Sequence, residues 1–304
     1  MKYKILFTFL FTLTLISAQS LRPFQIDTLF GYKNISNEIV IKPQFQYASK
    51  FIYNYAVVAK NEKFGIINSR NEPLIDYKYE FLMPLDSSEV LYGKRAKYFG
   101  EFLLGVITIK GEIKIQDIYS SIEKKNSLYI AQIDDSQIIS KDQNGAIRKM
   151  KFKYGLLDSD GRILIPCNYG NITWKTSKIL DVSKDLETND HALFNIEGKQ
   201  ITDFGFMVFG DFKDGLAKAR IGNKFGFIDE KGKIVIPIKY DYCNEFEDGF
   251  SIIENNEKYG AIDTKGKIII EPLYEFEIVK KKLEENIKNK RNSNLHKLHQ
   301  NSSK

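Results

Sequence analysis

Apolar residues in this chain come in short runs separated by polar clusters, and the runs follow one another in a fixed order. In "DGFSIIENNEKYGAID", residues 248–263, two apolar runs flank the polar "ENNEK", which predicts a hairpin. "DTKG" then predicts a second turn, and "KGKIIIEP" predicts a third strand ended by Pro272. Ile268 and Ile270 are two apart and so point to one face of that strand, while Lys267, Ile269 and Glu271 point to the other.

The same order returns along the chain. With the glycine after the aromatic as origin, anchors fall at Gly31, Gly65, Gly105, Gly155, Ala192, Gly226 and Gly260, spaced 34, 40, 50, 37, 34 and 34 residues apart. The fourteenth residue after every anchor is aromatic: Phe45, Tyr79, Tyr119, Tyr169, Phe206, Tyr240 and Tyr274. Aromatics are only 13% of the chain, so this coincidence marks a repeat rather than chance.

Positions eight and ten after the anchor are both Ile in the copies anchored at Gly31, Gly105, Gly155, Gly226 and Gly260. The copies at Gly65 and Ala192 carry Leu74 and Ile201 at position nine instead, and are read as degenerate. Six after the anchor stands a turn residue, Gly111, Gly161, Gly198, Gly232 or Gly266, replaced by Asn37 and Asn71 in two copies. That choice fits a left-handed turn position, where a Cβ clashes and Asn is the next most tolerant residue.

A three-stranded ribbon cannot cover its own apolar face, so neighbouring copies must supply the cover. Each fourteenth-position aromatic buried between copies contributes on the order of 2–3 kcal/mol. The pattern predicts an all-β fold, a tandem array of about seven three-stranded β-meander repeats. A solenoid-like stack is the first architecture and a closed β-propeller the alternative.

The residues before the anchors are Phe30, Phe64, Leu104, Tyr154, His191, Phe225 and Tyr259, and segments such as "KYGAIDTKGK" combine aromatic-Gly with Ile-Asp and Gly-Lys. This motif resembles the WG-containing repeat of bacterial proteins, with Phe or Tyr in place of the usual Trp. The resemblance covers residues 30 to 276 and implies an all-β repeat array, often on exported proteins.

Outside the repeats, Lys2 and Lys4 precede an apolar stretch from Ile5 to Ile16 and then Ser17-Ala18, the order of a secretory leader. We expect a signal peptide over 1–18, a repeat domain over 19–276, and a basic polar tail over 277–304, partly helical and then disordered. Export to the periplasm, the cell surface or the medium follows, with no membrane span left after cleavage.

The net charge of +6 changes this picture little. The tail holds +5 and the leader two lysines, which leaves the repeats near −1. A nucleic-acid partner is therefore not expected, because electrostatic binding needs the charge on the binding face.

Catalytic chemistry has few places to sit. His191, in the aromatic slot of a degenerate copy, reads as packing, and His296 with His299 falls short of a structural metal set. Asp158, Asp229 and Asp263 stand three after their anchors and read as turn caps. Cys167 and Cys243 occupy non-equivalent positions and read as two buried thiols rather than a disulfide.

No catalytic residue, cofactor site or metal site is expected. The function expected is a non-enzymatic, exported repeat scaffold binding a protein or an envelope glycan. A purely structural envelope component, or a hydrolytic enzyme, is the alternative. The long anchor spacings place extra polar sequence at 84–100 and 120–150, where partner-binding loops are expected, with Tyr92, Arg95, Tyr98, Tyr129 and also Trp174 as contact residues.

Overall fold

The alternating segments form strands as their spacing predicts, but the sheets they build are out of phase with the sequence repeat. The structure, a computed structural model, describes residues 21–96, 101–142, 145–188 and 190–301, so the leader expected over 1–18 lies outside the described residues. The chain divides into two compact units, residues 1–127 with 159–161 and residues 128–158 with 162–304.

In the first unit, β1 (Arg22–Ile26), β2 (Leu29–Lys33) and β3 (Ile39–Phe45) form one sheet. A second is made of β4 (Tyr47–Ala48), β5 (Tyr55–Lys60), β6 (Lys63–Asn68) and β7 (Pro73–Tyr79). A third holds β8 (Phe81–Pro84), β9 (Glu89–Arg95), β10 (Phe102–Thr108) and β11 (Ile113–Tyr119), and β12 (Ser121–Lys125) is the last strand of the unit.

The second unit opens with β13 (Leu128–Asp134), followed by the two-stranded hairpin β14 (Gln137–Asp142) and β15 (Gly145–Lys149). β16 (Phe152–Leu157) returns to pair with β13 and then with β17 (Ile163–Tyr169). Next come β18 (Asn171–Trp174), β19 (Ile179–Ser183) and β20 (His191–Asn195), a sheet of only three strands. Two four-stranded sheets follow, one of β21 (Phe206–Lys213), β22 (Leu216–Ile221), β23 (Lys224–Asp229) and β24 (Ile234–Tyr240). The other contains β25 (Tyr242–Cys243), β26 (Phe250–Asn255), β27 (Lys258–Asp263) and β28 (Ile268–Tyr274), and α1 (Phe276–Asn301) closes the chain.

All strand pairs are antiparallel, and among the described residues no sheet closes into a barrel. The expected three-stranded unit is corrected: the third strand of the copies anchored at Gly31, Gly65, Gly155 and Gly226 runs on past its aromatic into a short first strand of the next sheet. β3 ends at Phe45 and β4 begins at Tyr47, so one residue, Gln46, carries the chain across; Glu80, Gly170 and Asp241 do the same. The acids among them are held by the lysine two before an anchor, Lys63 to Glu80 at 3.2 Å and Lys224 to Asp241. These exposed pairs fix geometry more than they add stability.

Why the anchor is glycine is a matter of space. A Cβ on Gly31, Gly226 or Gly260 would stand 2.4, 2.6 or 2.5 Å from the carbonyl oxygen of Ile41, Ile236 or Ile270, ten residues on. The third strand bulges toward the anchor there, as the register shift between Phe225↔Tyr240 and Phe227↔Ile236 shows. Ala192 is tolerated because the third strand of its copy is not built: after the bridge Phe194↔Gln200 the chain turns away. Phe206 consequently does not face residue 191; it starts β21 opposite Ile221, and Phe204 stacks on Tyr169 instead.

The turns behave as expected. Gly232 and its substitute Asn37 have φ of 79° and 67°. The third residue after each anchor caps the turn with its side chain: Asp229 Oδ1 accepts from the Lys231 and Lys233 amides, and Asp263, Asn34 and Asn195 act alike.

α1 begins at the boundary of the basic tail expected over 277–304, the first part of which is expected to be helical. Its first turns bury Val279 and Leu283 against Ile252, Ala261 and Ile270, covering the apolar face of the last sheet. The chain thus ends its repeats with a helical cap, as terminal copies require. No helix among the described residues is long and apolar enough to cross a membrane.

Candidate functional site

Because residues one before and one after an anchor share a face, the position before the anchor forms a half-buried slot in every copy. Its chemistry varies. Gln132 Nε2 donates to the Tyr154 hydroxyl at 2.7 Å, and His191 Nδ1 lies 2.7 Å from Asp181 Oδ1. Asp181 stands directly across from Leu193, where other copies place Val57, Leu91, Ile130 or Ile252. His191 therefore fills an aromatic slot and is fixed there by a carboxylate, in keeping with a packing role.

The five expected contact residues are not brought together. Tyr92 lies on β9 with its ring edge-on to Tyr79 at 5.4 Å, inside a cluster with Tyr55, Ile66 and Ile107. Burial, helped by the Asp117 carboxylate, pushes its hydroxyl up to about 12. Tyr129 on β13 is fully buried. Both are corrections, since a contact residue must reach solvent. Trp174 ends β18 half-buried against a core of Ile130, Ile172, Leu180 and Phe194. Arg95 is exposed at the end of β9, its backbone amide donating to Glu80 at 2.8 Å, and Tyr98 lies outside the described residues. Of the extra sequence at 84–100, residues 85–88 are a turn and 89–95 are strand: β9 pairs with β10 from Glu89↔Thr108 to Arg95↔Phe102. The apolar run "VLY" within "EVLYGKR", bounded by polar residues, is the signal that marks it as a buried strand.

The excess at 120–150 is also mostly strand, and there the structure shows a surface the sequence reading missed. β14 and β15 pair only with each other, and Ile138, Ile139, Ile147 and Met150 are 47%, 63%, 60% and 53% exposed. A lone two-stranded ribbon with apolar residues on both faces gains nothing from its own core. Its foot is nevertheless well fixed. Arg148 pairs with Asp134, Lys151 with Asp135 at 3.5 Å, and the Ser136 hydroxyl accepts from the Lys151 amide at 2.9 Å. Burial works to raise the Asp134 pKa, but hydrogen bonds from Ser136 and Arg148 outweigh it and hold the carboxyl low. The adjacent isoleucines in "QIISKD", with no partner strand of the repeat type, were the available signal.

In the first unit, Glu89 is buried and bound by Lys114 at 2.5 Å and Lys124 at 2.6 Å, and Lys124 also reaches Asp86. Burial opposes ionisation of Asp86, yet the hydrogen bonds from Lys124 and Ser88 prevail and take it down to about 2. Every charge in this cluster has a counter-charge, so it reads as an internal brace. The thiols are free: Cys243 is buried and pushed up to about 12, Cys167 half-buried and pushed up to about 11, both by burial. Neither is disposed to be a nucleophile. Among the described residues no group of three or more His, Cys, Asp or Glu could hold a metal ion, and the side chains of His296 and His299 lie outside those residues.

Among solved structures, the chain is similar to a protein of unknown function from Bacteroides caccae, at 14% identity over 71% of this chain and 92% of that one, with a TM-score of 0.22. It is similar to a eukaryotic initiation factor, at 11% identity over 84% and 97%, TM-score 0.24. It is also similar to the Dos1 propeller, at 11% over 80% and 71%, TM-score 0.26. None of the three superposes well enough to argue from. No curated protein sequence matches the chain. Residues 30–64, 154–173, 193–225, 225–259 and 259–276 each match the family described as the WG containing repeat. With five segments between Phe30 and Phe276 matching one repeat family, and the close-approach glycine and capped turn explained by the fold, the chain belongs to the WG-containing repeat proteins.

Proposed function

We propose that this chain is a non-enzymatic, exported scaffold whose roughly seven copies stack in solenoid fashion and present a docking arm to a partner protein. The arm is the β14–β15 hairpin. The observation that carries the reading is its three exposed isoleucines, Ile138, Ile139 and Ile147, with exposed Met150 just after it, on a ribbon whose outer strand edges pair with nothing among the described residues. Such an edge offers backbone hydrogen bonds to an added strand, while the isoleucines supply the apolar contact. The Asp134–Arg148 and Asp135–Lys151 pairs hold the foot of the arm, so less order is lost on binding. Export rests on the leader sequence at residues 1–18.

The test uses the mature chain from Gln19 carrying a photo-crosslinker at Ile139. Crosslinking in cell-envelope extract should yield a discrete protein adduct that disappears when Ile138 and Ile147 are changed to Asn. The melting temperature should hold, because neither side chain is buried. An adduct unaffected by those changes, or a native N-terminus that retains Met1, would refute the proposal.

A further inference from the structure

One copy departs from the others in a way that neither packing nor pairing requires. Across from the residue after the anchor, five copies place Val57, Leu91, Ile130, Asp181 and Ile252; β22 places Lys218 there, opposite Phe227. Across from the residue before the anchor the same copies hold Ala59, Gly93, Gln132, Ser183 and Glu254, and β22 holds Arg220, opposite Phe225. Two cations thus sit two residues apart on one face of one strand, both half-buried.

Three rings surround them. Lys218 Nζ lies 5.4 Å from the centroid of Phe209, 5.7 Å from Phe225 and 5.4 Å from Tyr242. Arg220 lies over Phe209 at 5.4 Å and reaches the Met207 sulfur at 3.7 Å. The rings are tilted to each other, 46° between Phe209 and Phe225 and 66° between Phe225 and Tyr242, so they wall the cations rather than form a flat platform. Among the described residues neither Lys218 nor Arg220 makes a salt bridge. Nearby carboxylates are engaged: Glu245 bonds Lys213 at 2.8 Å and feels the Lys218 charge only as a weaker attraction, Asp241 bonds Lys224, and Glu254 on β26 faces Tyr242 and bonds the Tyr259 hydroxyl.

From this we infer that Lys218 and Arg220, held by Phe209, Phe225 and Tyr242, form a binding site for the carboxylates of an acidic peptide segment. A guanidinium presents a planar fork that matches a carboxylate, and the ammonium adds a second charge-assisted donor. The rings hold both side chains extended and partly dehydrated, which lowers the ordering cost when an anion arrives. The ring faces nearest the cations are covered by them. A pyranose seeking an open aromatic face is therefore poorly served, whereas a peptide carboxylate needs only the cations. This site is on β22 and does not rest on the hairpin reading.

The probe is a fluorescein-labelled hexaglutamate peptide, read by anisotropy on the mature chain, with variants Lys218→Ile and Arg220→Gln. Isoleucine is what β26 carries at the first position, so that variant is expected to fold, with melting unchanged or raised. The wild type should bind with an affinity that falls as salt is raised, and the double variant should lose about tenfold or more. The hairpin variant Ile138→Asn/Ile147→Asn should bind as the wild type does. Equal binding by the double variant, or no binding by the wild type at low salt, overturns the site. Polygalacturonate bound in preference to the peptide, or peptide displaced by inorganic phosphate but not by acetate, overturns the acidic-peptide assignment.

Discussion

Glycine and alanine should have opposite values at two equivalent positions of this repeat, 226 and 192. A methyl at 226 would stand 2.6 Å from the Ile236 oxygen, 2.7 Å from the Pro237 oxygen and 2.8 Å from the Ile238 Cα. All three are backbone atoms, so no rotamer change relieves the contact and β24 must move out from β23. Overpacking of this kind costs about 1–3 kcal/mol, and a stretched strand hydrogen bond adds about 1 kcal/mol. Loss of glycine's freedom in the unfolded chain offsets about 0.4–1 kcal/mol. Gly226→Ala should therefore destabilise by about 2–3 kcal/mol. At 192 the third strand is absent, and the alanine methyl is fully buried. Ala192→Gly should cost about 1–2 kcal/mol, from lost burial and from added backbone freedom. Urea unfolding followed by far-UV circular dichroism and by Trp174 fluorescence measures both, since all three residues lie in the second unit. A neutral or stabilising Gly226→Ala, or a stabilising Ala192→Gly, would show that close approach of the third strand is not what selects the anchor.

Ending the chain at Glu275 should cost about 3–5 kcal/mol, because it uncovers the partners of Val279 and Leu283; hydrogen exchange should place the loss in β25–β28, and an unchanged exchange pattern there would exclude a capping role. Lys124→Met leaves Glu89 and Asp86 short of a counter-charge and should cost about 2–4 kcal/mol by urea unfolding, with little loss if Lys114 alone suffices. Cys167 and Cys243 are raised by burial to about 11 and 12, so their contribution to stability is complete below about pH 9 and is lost as pH rises toward those values. Urea midpoints should fall between pH 9 and 11, less so in Cys243→Ala, and native thiols should resist a thiol reagent at pH 8. Asp86, lowered to about 2, contributes stability present above about pH 4 and lost as pH falls toward 2, a loss that Asp86→Asn should abolish.

The elements read from spacing were the ones set by local rules. Turn residues such as Gly232 and Asn37, and caps such as Asp229 and Asp263, depend on their own backbone, so the sequence displays them. The Ile pairs were equally legible, because alternation is a property of one strand. The passage from one sheet to the next at Gln46, Glu80, Gly170 and Asp241 was not, since nothing in a strand's composition says which neighbour it joins. Phe206 misled for a related reason: it keeps the fourteenth position by count, but its copy has lost the third strand that gives the position meaning. At the candidate sites, polarity drew attention to Tyr92 and Tyr129, whose rings the lengthened strands bury. Lys218 and Arg220 passed unnoticed because only the cross-strand register shows that they stand where the compared copies carry no cation.

The one-residue handover between sheets also bears on how such an array can grow or shrink. A segment cut from anchor to anchor carries an Ile-pair strand with its own sheet, but it also carries the opening strand of the sheet beyond. Deleting such a segment is therefore seamless, because the copy upstream supplies the opening strand that the copy downstream has lost. Inserting a segment that stops at the aromatic, Tyr240 for instance, would leave the following sheet without its first strand and with an open edge. Gains and losses of copies by recombination are thus tolerated only in whole periods, and the 34-residue step at Ala192, Gly226 and Gly260 is the length that such exchanges preserve.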